Sequence, residues 1–310
     1  MSARGRFLPA AFVVAAMLVF DSGCKKNNTT EPVVTANVAT SNQDAAQSIA
    51  NAVGEDNGGV ADQMGDAVDA TGSAGVTTNV GSASPKDGGL LKGASAEGDT
   101  VTKTYSASDT SWTIFVSRNR VGLFGRQAGF TRTYYSKFID ANGVALPRYI
   151  IASPADTATT IKFSVLSGSG YTMTKFVSTH LLSISSNFII TGVNTPIVTV
   201  NGTFSRTGTD TIKTFQGERV LNHTLQATLV NVTRPRIPRY VQTVGIPRAT
   251  GGTISGTYTA TVTVLAGSSY TERNFTKTFT ITFGTDGSGT MDIGGAMFSC
   301  DLQAGEATAQ

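Results

Sequence analysis

The order of apolar and polar positions divides the chain into a short apolar run, a long polar stretch and a region of regular alternation. From about residue 100 onward, apolar side chains recur at every second position, which predicts strands with one buried and one solvated face. The pattern is clearest at residues 112–116, 161–165, 258–264 and 275–283. In the last two stretches the alternating partners are mostly threonines, which suit the exposed face of a strand.

These strands predict an all-β domain over residues 100–310, built as a large antiparallel sheet. The sheet would form either a sandwich, filled by the side chains of two facing layers, or an open half-barrel with a cavity. Gly168, Ser169 and Gly170 are interpreted as the turn of a hairpin, because this triplet separates two alternating runs.

The polar stretch at residues 24–99 is rich in small and polar residues and contains no aromatic residue. Such a composition buries too little apolar area to offset the entropy of ordering, so it predicts a mostly disordered, low-complexity tether. Apolar residues at helical spacing predict short helices near residues 43–53 and 60–70. These helices would be marginal elements of the spacer or, alternatively, a lid over a cavity in the β domain.

Charge is distributed unevenly along the chain. Residues 25–99 carry 4 Lys+Arg against 10 Asp+Glu, whereas residues 100–310 carry 18 against 10. The acidic spacer would keep itself extended and soluble, and the basic domain favours an anionic partner such as lipopolysaccharide, an acidic glycan or a phospholipid surface. Nucleic acid is not expected as a partner, because no nucleic-acid-binding motif is present.

The N-terminus has the organisation of a secretory signal. An apolar run at residues 10–20 follows two arginines and precedes small residues, which predicts a signal peptide at residues 1–23. The run is about half the roughly 20 residues that a stable transmembrane helix needs.

Ser22, Gly23 and Cys24 resemble the lipobox of bacterial lipoproteins, although Asp21 stands where that motif usually has Leu. With its spacer and its Thr/Gly-rich β region, the whole chain resembles bacterial envelope lipoproteins. The resemblance implies acyl chains such as palmitate on Cys24, which would anchor the protein in a membrane. It also implies a cell-envelope location, and Lys25 after the cysteine favours the outer membrane.

One proline-rich stretch concentrates the candidate ligand-binding residues. They are Arg234, Arg236, Arg239, Tyr240 and Arg248. Because proline cannot donate to a sheet ladder, the stretch predicts an extended loop between strands. Its guanidinium groups could bind carboxylates or phosphates, and its tyrosine could stack on sugars; alternatively it is a stiff connection whose charges are merely solvated. Further arginines are candidates for the same surface: Arg118, Arg120, Arg126 and Arg132.

Candidate catalytic chemistry is sparse. The two histidines lack metal-ligand spacing, and Cys300 alternates with apolar residues, as an inert core thiol would. We therefore predict no enzyme activity, no metal and no cofactor. The favoured hypothesis is a membrane-anchored binding or structural module. The alternative is a periplasmic lipid or lipoprotein carrier, whose half-barrel cavity would be lined by Phe275, Phe279 and Phe283.

Overall fold

The computed structural model describes most of the chain from residue 33 onward. The described ranges are 33–70, 100–121, 127–149, 157–174, 177–214, 217–237, 249–266 and 274–310.

Two helices precede a long series of strands. Helix α1 is Val33–Val53 and helix α2 is Val60–Asp69. The strands of the described residues are β1 Thr100–Ser106, β2 Ser111–Val121, β3 Gln127–Ile139, β4 Ala145–Leu146, β5 Thr160–Met173, β6 Val177–Thr191, β7 Ile197–Thr214, β8 Gly217–Pro235, β9 Gly251–Ala266, β10 Asn274–Phe283, β11 Gly289–Ile293, β12 Ala296–Asp301 and β13 Glu306–Ala309.

All these strands belong to one antiparallel sheet with a simple order. Each strand pairs with the next one along the chain, except that the short β4 pairs with β3 alone and β5 follows β3 in the sheet. The fold class is therefore all-β, as predicted. A continuous sheet whose inner face is covered by helices corresponds to the open, curved alternative and not to the sandwich, which needs two facing sheets.

The predicted alternation of faces is confirmed. Ile114 and Val116 on β2 are at most 1% exposed, whereas Phe115 between them is 39% exposed. On β9 and β10, Tyr258 and Phe279 are buried among outward-facing threonines. One face of the sheet is thus an apolar core face and the other is largely hydroxylated.

The helices form part of the core, which corrects the expectation of a mobile spacer for residues 33–70. Apolar residues of both helices belong to the same buried cluster as the inner face of the sheet, with at most 1% exposure: Ile49, Val53, Val60, Met64 and Val68. Helix α1 also begins ten residues before the predicted start at residue 43. Short helices that are marginal alone gain most of their stability from such packing.

The turn between the two helices is hydrogen-bonded to the residues that directly follow β12. The backbone N–H groups of Glu55 and Asp56 donate to the carbonyls of Leu302 and Gln303, both at 2.9 Å. Gly58 closes the turn with φ of +67°, a backbone conformation that favours glycine. The helix pair is therefore held by hydrogen bonds as well as by apolar contact.

The predicted hairpin turn at Gly168–Ser169–Gly170 is wrong, because these residues lie inside the single strand β5. A Cβ atom on Gly170 would lie only 2.3 Å from the carbonyl oxygen of Gly129 on the neighbouring β3. Glycine inside a strand often marks such a close approach of two backbones, and that is its role here.

The predicted loop also begins later than expected, since Arg234 and Pro235 are the last residues of β8. They pair with Val198 and Ile197 of β7. On the other side of β8, the pairing with β9 ends at Thr233. Pro235 therefore sits at a strand end, where a missing N–H donor is tolerated.

Candidate functional site

The first cluster of charged side chains joins α2 to the inner face of β2 and β3. Arg118 Nη2 lies 2.8 Å from Asp66 Oδ1, and Arg132 Nη1 lies 2.7 Å from Asp62 Oδ2. The Tyr134 hydroxyl donates to Asp66. Burial raises the pKa of Tyr134 well above its ordinary value, so the hydroxyl keeps its proton. All five side chains are at most 1% exposed.

These contacts decide the role of the additional arginines. Arg118 and Arg132 were candidates for an external basic surface, but both are buried against α2. Arg132 also donates to the carbonyl of Gly58 in the interhelical turn. The side chain of Arg120, and Arg126 altogether, lie outside the described part of the chain.

The second cluster joins α1 to β8. Arg219 forms a two-pronged ion pair with Asp44, with Nε 2.7 Å from Oδ2 and Nη2 2.8 Å from Oδ1. Burial raises the pKa of Asp44, and the guanidinium of Arg219 opposes that shift. This pair fixes α1 to the centre of the sheet.

The third cluster lies on β7 and β8 beneath α1. Arg206 Nε is 3.2 Å from His223 Nε2, and His223 Nδ1 is 3.3 Å from Asp210 Oδ2. Thr179 donates to Asp210 at 2.6 Å, and Arg206 Nη2 donates to Asn51 of α1 at 3.2 Å. The charged and imidazole groups are all buried. This arrangement positions the helix and the strands relative to one another.

Burial lowers the pKa of His223; Asp210 opposes that shift and Arg206 adds to it. As the pH falls below the ordinary histidine pKa of about 6.5, His223 therefore binds a proton more readily in the unfolded chain than in the folded protein. We expect the contribution of His223 to the free energy of unfolding to be complete above that pH. As the pH falls further, it should decrease by at most about 1.4 kcal/mol per pH unit.

Urea denaturation of the parent and of His223→Gln between pH 5 and 8 would measure this contribution, and the variant should lose that part of the pH dependence. The exposed His180 provides the matched control, as His180→Gln should retain it. An unchanged pH dependence in His223→Gln would contradict the assignment.

Together the clusters explain the uneven charge of the chain. Residues 33–70 carry six acidic residues and neither Lys nor Arg. The buried arginines of β2, β3 and β8 pair with acids of this segment. Much of the charge difference is thus internal complementarity between the helices and the sheet.

Arg234, the first predicted ligand-binding residue, is 1% exposed and points toward α2. Its Nη1 donates to the carbonyl of Ala61 at 3.4 Å. It lines a cleft of about 380 Å³ at one end of the sheet. Other residues that line this cleft include Glu55, Met64, Phe283, Asp286 and Asp301.

Arg236, the second predicted residue, lies in a different setting and is partly exposed. Its Nε donates to the carbonyl of Thr195 at 3.0 Å, and its guanidinium carbon lies 5.8 Å from the centre of the Tyr149 ring. The structure therefore does not bring Arg234 and Arg236 together on one surface. The remaining predicted site residues lie outside the described residues: Cys24, Arg239, Tyr240 and Arg248.

The thiol of Cys300 is 4% exposed and packs with Phe298 in the core cluster. Burial, with a smaller effect of the Asp301 charge, raises the pKa of this thiol to about 12. It is therefore protonated and unreactive at neutral pH. Among the described residues, no group of three or more His, Cys, Asp or Glu side chains is placed to hold a metal ion.

Sequence reasoning missed the pairing of the helices with the sheet, although a signal was present. Asp62 and Asp66 are four residues apart on α2, so they lie on one helix face. Arg118 continues the buried positions of β2, and Arg132 occupies the same face of β3 as Tyr134. Charged residues at core positions of both elements indicate partners for one another, because an unpaired buried charge is costly.

Comparison with known protein families, curated proteins and solved structures produced no match for this chain. Within the described residues, neither helix combines the length and the hydropathy needed to cross a membrane.

Proposed function

We propose that this protein is a non-catalytic module of the bacterial cell envelope, anchored by lipid on Cys24. In this proposal it engages an anionic glycan or lipid through the basic segment that begins at Arg236, and it resides at the outer membrane. The lipobox-like residues and the preceding apolar run support the anchor. The buried state of His223 and Cys300 supports a role without catalysis.

The observation that carries the proposal is the presentation of Arg236 at the surface. Its Nε donates to the carbonyl of Thr195 and its guanidinium carbon lies over the ring of Tyr149, whereas its two terminal amino groups donate to no described residue. A guanidinium held in this way loses less entropy when it binds a carboxylate or phosphate. Arg239, Tyr240 and Arg248 follow in the same segment of the sequence.

The packing of the inner face favours this proposal over the carrier alternative. Phe275 and Phe279 are buried in the core cluster, and only Phe283 of the three predicted cavity residues is among those that line the 380 Å³ cleft. A carrier would need the helices to leave the sheet and expose several buried ion pairs. That opening would be costly, because each separated charge loses its partner.

The test is a surface variant in which Arg236, Arg239 and Arg248 are replaced by Ala. Arg234 is left intact, because its buried side chain supports the fold. Binding to alginate and to vesicles that contain phosphatidylglycerol, measured at graded ionic strength, distinguishes a glycan from a lipid partner. We expect the parent to bind one of them at low salt. The variant should bind at least about tenfold more weakly.

The matched control removes the same number of positive charges elsewhere on the sheet, with Lys103, Lys162 and Lys213 replaced by Ala. It should retain most of the affinity, because binding in this proposal depends on the arginines of one segment and not on the total positive charge. Equal losses in both variants would reject the Arg236 segment as the site. Absence of binding by the parent to either probe would reject the proposed function.

A further inference from the structure

A shallow groove crosses the outer face of the sheet over β6, β7, β8 and β9. Its volume is about 570 Å³. Strand pairing places its polar side chains in two rows that run across the strands. One row consists of Asn187, Thr203 and Thr228, and the other of Ser185, Ser205, Gln226 and Thr257.

The groove is lined without a single charged residue. Its polar side chains are hydroxyls and amides, which both donate and accept hydrogen bonds. Neighbouring strands repeat at about 4.8 Å, and alternate residues along a strand at about 6.8 Å. The result is a regular array of neutral hydrogen-bonding groups.

Most of the polar side chains in the groove are not engaged with other described side chains, although Asn187 accepts a hydrogen bond from Ser164 at 3.2 Å. At several other positions of this face, hydroxyls pair across strands: Ser183 with Thr207 at 2.7 Å, and Thr259 with Thr276 at 3.1 Å. Within the described structure, by contrast, the side chains of four groove residues bond to no protein group: Thr203, Gln226, Thr228 and Thr257. Their hydrogen-bonding capacity faces outward.

Apolar side chains border the groove on one side. Ile189 follows Asn187 on the same face of β6, and Val230 follows Thr228 on the same face of β8. They are 48% and 45% exposed. A ligand that lies across the strands would therefore meet hydroxyls and amides in the groove and aliphatic carbons at its edge.

We propose that this groove binds a neutral polysaccharide chain. Sugar rings combine hydroxyl edges with apolar C–H faces, and both have counterparts here. A neutral chain also avoids the cost of placing an ion against a surface that offers no opposite charge. Successive sugars can each contact a different strand, so many weak contacts add up along the chain. The site is independent of Arg236, and its ligand differs in charge from the partner proposed above.

Native affinity electrophoresis of the whole protein in gels that contain hydroxyethyl cellulose, dextran or galactomannan tests the proposal. The groove variant replaces Thr203, Thr228 and Thr257 by Val, which removes hydroxyls while preserving a β-branched side chain. We expect at least one neutral polysaccharide to retard the parent, with little dependence on salt. The groove variant should bind it at least about tenfold more weakly.

The matched control replaces Thr102, Thr104 and Thr113 by Val, which are exposed on β1 and β2 and lie outside the groove lining. It should migrate like the parent. Circular dichroism spectra that match for all three proteins would exclude misfolding as the cause. The assignment would be overturned if no neutral polysaccharide retarded the parent, or if both variants lost binding equally. Salt-sensitive retardation by alginate alone would overturn it while leaving the Arg236 proposal intact.

Discussion

A chain that lacks residues 33–70 should fail to form a native sheet. Removing α1 and α2 uncovers the apolar inner face and leaves Arg118, Arg132 and Arg219 without the acids that face them. The uncovered apolar surface and the loss of several buried ion pairs, at about 3–5 kcal/mol each, together exceed the 5–15 kcal/mol that typically stabilises a domain. Near-ultraviolet circular dichroism and size-exclusion chromatography should show lost tertiary packing and aggregation.

Addition of the helical segment in trans provides the control. Co-expression with a peptide of residues 33–70 should restore soluble, cooperatively unfolding protein. The same peptide with Asp44, Asp62 and Asp66 changed to Asn should restore much less, because it lacks the charges that the arginines require. A sheet that folds cooperatively without either peptide would contradict the integral role of the helices.

Asp66→Ala should lower the free energy of unfolding by about 3–5 kcal/mol, the usual cost of removing one partner from a buried ion pair. Asp66 lies 2.8 Å from Arg118 and accepts a hydrogen bond from the hydroxyl of Tyr134. Its loss leaves the carboxylate of Asp62 to balance the charges of two arginines. Urea denaturation of the parent and the variant measures the difference.

A double-mutant cycle separates charge imbalance from lost packing. Arg118→Met alone should also destabilise, whereas Asp66→Ala combined with Arg118→Met should cost clearly less than the sum of the single changes. Glu218→Ala, on a partly exposed strand position, should change stability by no more than about 0.5 kcal/mol. Strict additivity of the two buried changes would show that Asp66 and Arg118 do not act as a pair.

The strands were predictable because their signal is local. A residue two positions away on a strand shares the same face, so a buried sheet leaves alternation in the sequence wherever one face is apolar. Ile114, Val116, Tyr258 and Phe279 were identified in this way and are buried. The sheet class follows from such patterns without knowledge of strand order.

The hairpin at Gly168 and Gly170 shows where local reasoning fails. Glycine is common in turns because it tolerates unusual backbone angles, but it also permits two strands to approach closely. Which role applies depends on the neighbouring strand, here the backbone of Gly129 on β3. That neighbour is distant in sequence, so the local pattern could not distinguish the two roles.

The candidate site was likewise predictable only where its signal is local in sequence. Sequence singled out both Arg234 and Arg236 by their proline-rich setting, yet only burial separates them, at 1% exposure for Arg234 and a partly exposed position for Arg236. The groove over β6 to β9 has no sequence motif. It exists because strand pairing aligns residues such as Asn187, Thr203 and Thr228 in one row.

Residue pattern and composition were enough to predict the all-β class, the faces of the principal strands, the excess of acidic residues before residue 100 and the excess of basic residues after it. The partners of those charged residues became apparent only from the folded arrangement of helices and sheet. Helices rich in small residues are marginal alone, and the alternation that places Arg118 and Arg132 on the core face does not say which acid lies opposite them. Asp44, Asp62 and Asp66 pair with arginines on strands that are distant in sequence and that the fold brings next to the helices. Proximity between such distant residues produces no periodic pattern in the sequence.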